Sequence, residues 1–542
     1  MKKIPIGLKD YRKLKEENYY VVDKSLMMKE FMDRGSEVTL ITRPRRFGKT
    51  INMSMLAEFF DVTKDSRDIF KDTAIMQTEY AKDINSYPTI FLSFADAKGD
   101  KDNIVMQMKL QLLKEYKKNE QVLEHIDRFE QPGFDVVMSG MSDLQDGSLH
   151  AVVNAISFLM TKCHQYYGKR VMLLIDEYDT PFIEAHTQGF YDELRNALAS
   201  MLHTSLKTSN DLQYAMLTGI QRVAKENIFS DLNNLSVCTV NDSRYAQYFG
   251  FTEKEVKAAL QTYDIPFTQE LKDMYDGYNM GGTDIYNPWS IINYLDRKQL
   301  IPYWVNTSSN KMIKAAMRAC DKTFKEGYEE LIACGTVTAL VNYEASFYEI
   351  KNTSSLWGLF VNAGYLTTKT TLDVLEGRYV LRIPNKEIKR EFQSLTAYYF
   401  HTDESSVTML LDDLLQGKLE KFALRYQIIL EDTASYYDLV NENSYHTLLL
   451  GMLMPLENSY KIISNREKGQ GRFDICLESR KQDKPSFLFE LKYTKDDSVN
   501  LKRLAKQGYE QILAKQYDQG LHHVMRIGLA HRGKQVELYT EK

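Results

Sequence analysis

The sequence predicts a multidomain α/β protein, and three observations support this prediction. The uncharged run Val38–Thr42 has the composition of a buried strand, and a glycine-lysine-threonine loop and a segment with helical periodicity follow it. A second apolar run, Val171–Ile175, ends in paired acids, as parallel strands do where they carry ligand-binding groups. The length of 542 residues corresponds to about three or four domains.

Composition narrows the class of protein. The hydrophobic fraction of 43% and the charged fraction of 26% are ordinary for globular proteins, so we do not expect a disordered chain. A net charge of −5 gives no overall attraction to nucleic acid or acidic membranes, and any such binding has to come from local patches. The five cysteines are scattered without a C-x-x-C pair, which argues against a disulfide framework or a zinc site.

The apolar runs are too short for targeting or membrane insertion. No apolar run of signal-peptide length follows the charged N-terminal residues 1–14. Nowhere do about 18 consecutive apolar residues occur, which is the length that a membrane-spanning helix needs. The sequence therefore predicts a cytoplasmic protein with no membrane partner.

The loop after the first strand, Arg43–Thr50, matches the second half of a phosphate-binding loop. In the pattern G-x-x-x-x-G-K-[ST], backbone N–H groups surround the phosphates, the lysine reaches the outer phosphates and the hydroxyl ligates Mg²⁺. Arg43 stands in the position of the first glycine. The predicted ATP contacts in this loop are Arg43, Arg45, Arg46, Phe47, Gly48, Lys49 and Thr50, and Thr50 is also a predicted metal ligand. The alternative is a solvated basic turn.

The paired acids after the second apolar run have the residue types that nucleotide hydrolysis needs. We interpret Asp176 as the carboxylate that holds Mg²⁺ through its water shell, and Glu177 as the base that polarises the attacking water. The alternative is an acidic start to the next helix, with Asp179 or Thr180 as its N-cap. Both interpretations can hold at once.

Three further strands complete a predicted five-stranded sheet. Tyr87–Phe94 lies between the loop strand and the acidic strand in sequence, and Leu212–Thr218 and Leu235–Val240 follow later. A polar residue at a strand end can sense the γ-phosphate, so Thr218 is a candidate sensor and Arg222 a candidate charge stabiliser that contacts the nucleotide. Thr218 could equally be a turn residue, and Arg222 a surface arginine.

The N-terminal half resembles the AAA-ATPase-like family of bacterial proteins. The residues that carry the resemblance are Ile4–Gly7, Tyr20–Lys24, Arg43–Thr50, Leu174–Asp179, Leu217–Ile220, Asn233–Leu235, Tyr275–Tyr278 and Tyr286–Ile291. In that family an arginine in place of the first loop glycine is the usual form, so Arg43 fits the pattern. The resemblance implies binding of ATP and Mg²⁺ in a P-loop NTPase parallel sheet.

The middle of the chain contains fewer chemical signals. Residues 250–300 are predicted to be helical and suit a lid over the nucleotide. The predicted helix Ser355–Leu366 and strand Arg378–Pro384 resemble a winged-helix unit, which could bind DNA but lacks a recognition helix rich in Arg, Asn or Gln, so a packing role is favoured. Glu404–Asn443 is predicted to be a helical connector.

The last hundred residues contain a second set of charged residues. Asp474 lies on a predicted strand, and Glu490 and Lys492 lie on the same face of the next one, Ser486–Tyr493. Asp474, Glu490 and the carbonyl of Leu491 could hold one or two Mg²⁺ ions, while Lys492 orients or activates water for phosphodiester cleavage. The alternative is an exposed strand face with a cross-strand ion pair, but the strand is otherwise nearly all apolar.

This segment resembles the PD-(D/E)xK nuclease superfamily. Phe473-Asp474 matches the first half-motif, with Phe473 in place of the proline, and Glu490-Leu491-Lys492 matches the second. Gln511 and Tyr517 also fit a related C-terminal family that is often fused to this ATPase. His446 on the preceding predicted helix could approach the metal, although a helix-packing role is favoured.

These interpretations combine into one prediction of domains and function. The predicted divisions are a P-loop ATPase-like core at 1–245, a helical lid at 246–330, a winged-helix-like and helical connector at 331–440 and a PD-(D/E)xK nuclease-like α/β domain at 441–542. The predicted function is an ATPase that gates metal-dependent cleavage of DNA, with RNA as a further possible substrate and a homo-oligomer allowed. The alternatives are a nucleotide-controlled regulatory or nucleic-acid-binding protein with a non-cleaving nuclease fold, and an active ATPase with a structural tail.

Overall fold

A computed structural model of the chain describes residues 2–207, 209–222, 233–304, 313–314, 316–317, 320–344, 352–399, 404–433, 442–468 and 471–541. The chain folds into two compact units. The first unit comprises Met1–Met312, Ala339–Tyr379 and Pro384–Glu387, and the second comprises Ile313–Thr338, Val380–Ile383 and Ile388–Lys542. The predicted core and most of the predicted lid therefore share one unit, and the four-part division stays a prediction.

A five-stranded parallel sheet forms the centre of the first unit. Its strands are β1 Val38–Thr42, β2 Thr89–Ser93, β3 Val171–Asp176, β4 Leu212–Gly219 and β5 Leu235–Cys238. The strand order is β2-β3-β4-β1-β5, so β4 lies between the loop strand β1 and the acidic strand β3. The predicted parallel sheet is confirmed, with β5 shorter than predicted.

Both faces of this sheet are buried. Every residue of β1 and β3 is buried. On β3, Leu173 and Ile175 belong to the core on one face, whereas Met172 and Leu174 belong to the core on the other. Successive side chains of a strand point to opposite faces, so a strand covered on both sides needs apolar residues throughout. This explains why the strand sequences lack polar alternation.

Helices make up much of the rest of the first unit. Its α-helices in the described ranges are Tyr11–Glu16, Leu26–Arg34, Lys49–Phe60, Arg67–Phe70, Lys101–Lys118, Gln131–Ser142, Ala155–Tyr167, Thr180–Gln188, Tyr191–Leu206, Glu253–Thr262, Gln269–Tyr275, Pro288–Arg297 and Thr353–Asn362. Its short 3₁₀ helices are Ala74–Gln77, Glu79–Asp83, Glu120–Leu123, His150–Val152 and Ala246–Tyr248.

A small hairpin interrupts the region that was predicted to be helical. It consists of β6 Tyr278–Met280 and β7 Thr283–Ile285, which pair antiparallel. The two turn residues, Gly281 and Gly282, have φ values of 53° and 88°. Positive φ at both central residues is what a tight two-residue hairpin turn requires, and glycine adopts it without a steric penalty.

Three more strands follow along the chain. They are β8 Thr336–Leu340, β9 Thr367–Asp373 and β10 Arg378–Arg382. The helix Thr353–Asn362 ends four residues before the predicted end at Leu366, and Gly364 has a φ of 88° between this helix and β9. The winged-helix-like interpretation stays a prediction.

The second unit contains a mixed five-stranded sheet. Its strands are β11 Tyr460–Lys468, β12 Gly471–Ser479, β13 Ser486–Tyr493, β14 Val524–Arg532 and β15 Gln535–Tyr539, in that spatial order. Only the β13–β14 pair is parallel, and the helix Leu501–Ala514 provides the crossover between these two strands. A Cβ on Gly528 of β14 would lie 2.0 Å from the Ala505 carbonyl oxygen, so glycine is needed for this close packing.

The remaining helices of the second unit are Lys322–Cys334, Lys386–Tyr399, Glu404–Leu415, Leu419–Thr433 and Glu442–Leu453, with a 3₁₀ helix at Met454–Asn458. The helix Lys386–Tyr399 begins at the end of the first unit. Residues 434–441 of the predicted connector lie outside the described residues. None of the helices in the described ranges is long and apolar enough to cross a membrane.

Candidate active sites

The loop between β1 and the helix Lys49–Phe60 turns at two residues with positive φ. Arg46 has a φ of 71° and Gly48 a φ of 85°. Gly48 is the N-cap of the helix and makes no side-chain cap. A helix N-terminus without a capping side chain offers its first N–H groups and the positive end of the helix dipole to an anion.

Lys49, the predicted phosphate contact, is 5% exposed. Its Nζ donates hydrogen bonds to the carbonyl oxygens of Arg43 and Pro44, each at 2.9 Å. Burial lowers the pKa of Lys49, and nearby carboxylates, of which Glu177 contributes most, act in the opposite direction. The ammonium group is therefore held by the loop's own carbonyls, close to the acidic end of β3.

Arg43 is fully buried, and its guanidinium binds backbone carbonyls. Nη1 donates to the carbonyls of Thr42, Cys238 and Thr239 at 2.9, 2.9 and 2.7 Å, and Nη2 donates to Arg244 at 3.2 Å. The side chain thus ties the end of β1 to the end of β5 and the segment after it. A solvated basic turn is ruled out for Arg43 and Lys49, because both are buried. A direct contact from Arg43 to ATP stays a prediction.

Two other loop side chains contact the region predicted as a lid. The exposed Arg46 places its guanidinium over the ring of Trp289, 4.2 Å from the ring centroid. Phe47 is buried edge-on against Tyr278, with 4.9 Å between the ring centroids. The positive charge of Arg46 therefore lies at the surface beside an aromatic ring, whereas Phe47 anchors the loop.

Backbone atoms of the loop also contact later segments of the same unit. The carbonyl of Arg45 accepts a hydrogen bond from Trp304 Nε1 at 3.3 Å. The backbone N–H of Trp304 donates to the buried carboxylate of Glu387 at 2.8 Å. A Cβ on Gly364 would lie 3.0 Å from the Cβ of Pro44. The loop is thus packed directly against the segments around residues 304 and 364.

Asp176, at the end of β3, is buried beside two threonines. Its Oδ1 accepts a hydrogen bond from the Thr218 hydroxyl at 2.6 Å. Its Oδ2 is buried without a hydrogen-bond partner among the described residues. Burial raises the pKa of Asp176, and the hydroxyls of Thr218 and Thr50 oppose this shift. A buried carboxylate oxygen near a threonine hydroxyl is a donor set that fits Mg²⁺.

Glu177, the predicted base, is half-buried in a left-handed backbone conformation with a φ of 50°. Such a φ is uncommon outside glycine and often marks a functional position. Its Oε2 accepts a hydrogen bond from the Thr180 hydroxyl at 3.2 Å. Its charge acts on Lys49, whose pKa it raises against the effect of burial.

Arg222, the candidate charge stabiliser, forms an ion pair with Glu344. The arginine side chain is 13% exposed and the glutamate side chain 42% exposed. A contact between Arg222 and a nucleotide would therefore compete with this pair. The glutamate was not recognised from the sequence, because it lies 122 positions away.

Sequence reasoning also missed the role of Asp179. Asp179 is the N-cap residue of the helix Thr180–Gln188, as the alternative predicted, but its side chain accepts no capping hydrogen bond from that helix. Its Oδ2 instead accepts the backbone N–H groups of Ile220 at 2.8 Å and Gln221 at 3.0 Å. Burial raises the pKa of Asp179 to about 6. The acidic run Asp176–Asp179 was the available signal, but the run alone does not identify the backbone that Asp179 meets.

The second unit brings its three predicted residues together. On the antiparallel strands β12 and β13, Ile475 lies opposite Phe489, which places Asp474 beside Glu490. The Oδ2 atom of Asp474 accepts a hydrogen bond from the backbone N–H of Leu491 at 2.7 Å. The two carboxylates and the Leu491 backbone therefore occupy one small region, as predicted.

Glu490 is 2% exposed and is the centre of a side-chain network. Its Oε1 accepts hydrogen bonds from Lys492 Nζ at 2.9 Å and from the amide of Gln511. The Gln511 amide also donates to the Tyr517 hydroxyl at 3.4 Å. Because Glu490 is buried, the alternative of an exposed strand face is wrong for this residue. The network supplies the reason for two charges on an apolar strand.

Two histidines flank this network. His446 Nε2 lies 3.1 Å from the Asp474 carbonyl oxygen and 2.9 Å from the Ser464 hydroxyl, which fits the helix-packing role. His531, which sequence reasoning did not single out, lies on β14 with Nδ1 at 3.2 Å from the Lys492 carbonyl oxygen. Its ring stacks on Tyr445 at 4.3 Å between centroids, and burial lowers its pKa to about 4.

Within the described ranges, no group of three or more His, Cys, Asp or Glu side chains could hold a metal ion. The predicted set of Asp474, Glu490 and the Leu491 carbonyl needs only two carboxylates. These are hard oxygen donors, which suit Mg²⁺ or Mn²⁺ better than softer metals.

Comparison with known families gives one match that includes the first site and one that includes the second. Residues 5–229 match the family model described as "Predicted AAA-ATPase". Residues 440–541 match the model of the PD-(D/E)XK nuclease superfamily. The first match includes the loop Arg43–Thr50 and the carboxylates after β3, and the second includes Asp474, Glu490 and Lys492.

A relative extends the similarity beyond these domains. A protein of Azotobacter chroococcum mcd 1, described as "Uncharacterized protein in vnfD 5'region", is 27% identical to this chain over 430 residues. The alignment covers 76% of this chain and 74% of that protein. The chain therefore carries an AAA-ATPase-like domain at residues 5–229 and a PD-(D/E)XK nuclease superfamily domain at residues 440–541.

Proposed function

We propose that this protein binds and hydrolyses ATP at the loop Arg43–Thr50, and that the nucleotide controls metal-dependent DNA cleavage by the C-terminal domain. The observation that carries the proposal is the buried carboxylate of Asp176, held by Thr218 on one oxygen, near Thr50 and close to Lys49. Such a grouping next to an uncapped helix N-terminus supports phosphate and Mg²⁺ binding.

Each residue near the loop has a proposed role in hydrolysis. Lys49 exchanges its two loop carbonyls for phosphate oxygens, and Glu177 orients and polarises the attacking water. Thr50 and Asp176 would hold Mg²⁺, which when bound would neutralise charge on the phosphates. The Thr218 hydroxyl keeps the Asp176 carboxylate in place through its 2.6 Å hydrogen bond.

The C-terminal residues have roles in phosphodiester cleavage under the same proposal. Asp474, Glu490 and the Leu491 carbonyl would hold a divalent metal ion, which when bound would activate water and stabilise charge on the phosphate. Lys492, now 2.9 Å from Glu490, orients the attacking water. Gln511 donates to the same Glu490 oxygen as Lys492 and so helps to orient that carboxylate.

The test uses the full-length protein with plasmid DNA and single-stranded DNA, in Mg²⁺ or Mn²⁺, with and without ATP. We expect cutting that is strongest with ATP. Asp474→Asn should abolish cutting and leave ATP hydrolysis unchanged, whereas Lys49→Ala should abolish ATP hydrolysis. Glu478→Gln is a matched control, because Glu478 lies on the same strand as Asp474 but pairs with Lys461 near the surface.

The other outcomes distinguish the rival functions. Folded protein that binds ATP through Lys49 and binds DNA without cutting it would be a nucleotide-controlled binding module. ATP hydrolysis with neither DNA binding nor cutting would indicate an ATPase with a structural tail. Cutting that is equal with and without ATP, and in the Lys49→Ala variant, would contradict the proposed control by nucleotide.

A further inference from the structure

We propose that Asp179 is a positioning residue that holds the end of β4 against the acidic end of β3, and so sets the geometry in which ATP is hydrolysed. This assignment rests on the proposed ATP hydrolysis and goes beyond it. The roles described so far use Asp176, Glu177 and the loop, and leave the buried carboxylate of Asp179 without a purpose. A buried carboxylate is costly unless it is well paired, so its contacts show what it does.

The carboxylate binds the chain immediately after β4. Asp179 is 1% exposed. A single oxygen, Oδ2, accepts hydrogen bonds from the backbone N–H groups of Ile220 at 2.8 Å and Gln221 at 3.0 Å. Hydrogen bonds from backbone N–H groups to a carboxylate are stronger than neutral ones, so the turn after β4 is held tightly.

Gly219, the last residue of β4, allows this approach. A Cβ at Gly219 would lie 2.7 Å from Asp179 Oδ1 and 2.8 Å from both Asp179 Cγ and Tyr178 Cε1. Real Cβ contacts do not occur at such distances, so the glycine is required for space. Its φ is not in the positive region, so an alanine here would be opposed only by the Asp179 carboxylate and the Tyr178 ring, which would have to move.

Further hydrogen bonds join the same two segments. The Tyr178 N–H donates to the Thr218 carbonyl at 3.1 Å, and the Tyr178 hydroxyl donates to the Gln221 carbonyl at 2.8 Å. The Thr218 hydroxyl donates to Asp176 Oδ1 at 2.6 Å. With the two bonds to Asp179, residues 176–179 and 218–221 form one clamp, and the proposed metal-holding carboxylate is part of it.

The clamp also reaches the phosphate-binding loop. The backbone N–H of Arg43 donates to the Gly219 carbonyl at 3.0 Å. Lys49 in turn donates to the Arg43 carbonyl at 2.9 Å. Because β4 lies between β1 and β3, a shift of Gly219 would move the start of the loop relative to Asp176. Small displacements of this kind lower reaction rates more than they lower binding.

One other role for Asp179 has to be separated from positioning. Its negative charge also acts on Lys49, since it raises the pKa of that lysine against the effect of burial. The Asp179→Asn variant separates the two roles. Since one oxygen accepts both backbone N–H groups, the amide oxygen of asparagine can accept them as well, whereas the charge is lost.

The experiment measures ATP hydrolysis and the affinity for a fluorescent ATP analogue with Mg²⁺. Asp179→Ala and Gly219→Ala should each lower kcat by about 10- to 100-fold, while KM and Kd change by less than about threefold. Asp179→Asn should keep kcat within about threefold of the wild type. Asp192→Ala, at an exposed acid on the helix Tyr191–Leu206, is the control and should match the wild type.

Three results would overturn the assignment. Asp179→Ala with wild-type kcat would show that the clamp is not needed, and Asp179→Asn as impaired as Asp179→Ala would show that the charge is what matters. If Asp179→Ala does not fold, Gly219→Ala decides in its place, and failure of both to fold would make Asp179 a residue of stability alone. Wild-type protein that does not hydrolyse ATP would contradict the proposed function itself.

Discussion

The first candidate site takes its carboxylates from the end of one strand, β3, whereas the second takes them from the neighbouring strands β12 and β13, and the two sites compensate the negative charge differently. At the first site Asp176 and Asp179 are buried among hydroxyl and backbone groups, and burial raises the pKa of each. At the second site Glu490 is equally buried, but Lys492 and Gln511 donate directly to it. Among the described residues no lysine or arginine forms an ion pair with Asp176 or Asp179, whereas Lys492 forms one with Glu490 at the second site.

This difference indicates what each site lacks. The Oδ2 atom of Asp176 has no hydrogen-bond partner among the described residues, so a metal ion would meet an unsatisfied oxygen there. At the second site Lys492 and Gln511 both donate to Glu490 Oε1, so a metal ion there would share the carboxylate with a bound lysine. Removing the negative charge of a buried acid at the first site should therefore stabilise the fold, and removing Lys492 at the second site should destabilise it.

The largest expected effect is the loss of ATP hydrolysis in Glu177→Gln. Glutamine keeps the shape of the side chain but cannot polarise water as a base, so the rate should fall by about 10²- to 10⁴-fold while ATP still binds. Phosphate release measures the rate of hydrolysis, and binding of an ATP analogue measures whether ATP still binds. Glu193→Gln, at an exposed acid paired with Lys101, should behave as the wild type. Undiminished ATP hydrolysis in Glu177→Gln would contradict a catalytic role for the first site.

The next effect concerns Lys492→Met. DNA cleavage should fall by at least about 100-fold, and the loss of the cation beside buried Glu490 should lower the free energy of unfolding by about 2 kcal/mol. Lys461→Met removes the exposed partner of Glu478 and should cost less than about 1 kcal/mol. Urea denaturation measures the free energy of unfolding, and plasmid cleavage measures nuclease activity. Equal losses of stability in the two variants would contradict a special role for the buried pair.

Asp179→Asn should stabilise the protein in neutral and alkaline solution. Burial raises the pKa of Asp179 from its ordinary value of 3.8 to about 6, so the wild type loses stability as pH rises through this range. Above pH 6 the variant should be more stable by up to about 3 kcal/mol, and the difference should shrink towards pH 4. Thermal denaturation from pH 4 to pH 8 measures this. A difference that is the same at every pH would contradict the raised pKa.

His531→Phe should show the opposite dependence on pH. Burial lowers the pKa of His531 from 6.5 to about 4, so the wild type loses stability as pH falls from 6.5 towards 4. At pH 5 this loss is about 2 kcal/mol, and phenylalanine, which can still stack on Tyr445, should remove it. The comparison of Tm at pH 7.5 and pH 5 measures the effect, with exposed His522→Phe as the control.

The smallest expected effect is that of Arg46→Met. The exposed contact with Trp289 is worth about 0.5–1 kcal/mol. Arg43→Met should cost several times more, because the carbonyls of Thr42, Cys238 and Thr239 would lose their donor. Chemical denaturation of both variants measures this contrast within one loop. Similar losses of stability in the two variants would mean that the buried contacts of Arg43 contribute little to stability.

Local patterns predicted much of the fold and of both candidate sites. Apolar runs followed by acids identified β3 and Asp176, and the spacing of two residues between Glu490 and Lys492 placed both on one face of β13. The hairpin of β6 and β7 was missed, because each strand has three residues and leaves too short a pattern. The roles of Asp179 and His531 were missed because their partners lie 41 and 39 positions away in sequence.

The sequence by itself determined the five strands of the parallel sheet, the strands that carry Asp474 and Glu490, the loop, and the acids that follow or lie on these strands, because strand burial and side-chain alternation are properties of neighbouring residues. Only the tertiary structure decided what each buried polar group meets. In the folded chain the Arg43 guanidinium binds the carbonyls of Cys238 and Thr239, at and after the end of β5. Arg222 forms an ion pair with Glu344, and Asp179 accepts a backbone N–H group of the turn after β4. These partners come together through strand order and loop packing, and no local pattern records which distant backbone will lie alongside.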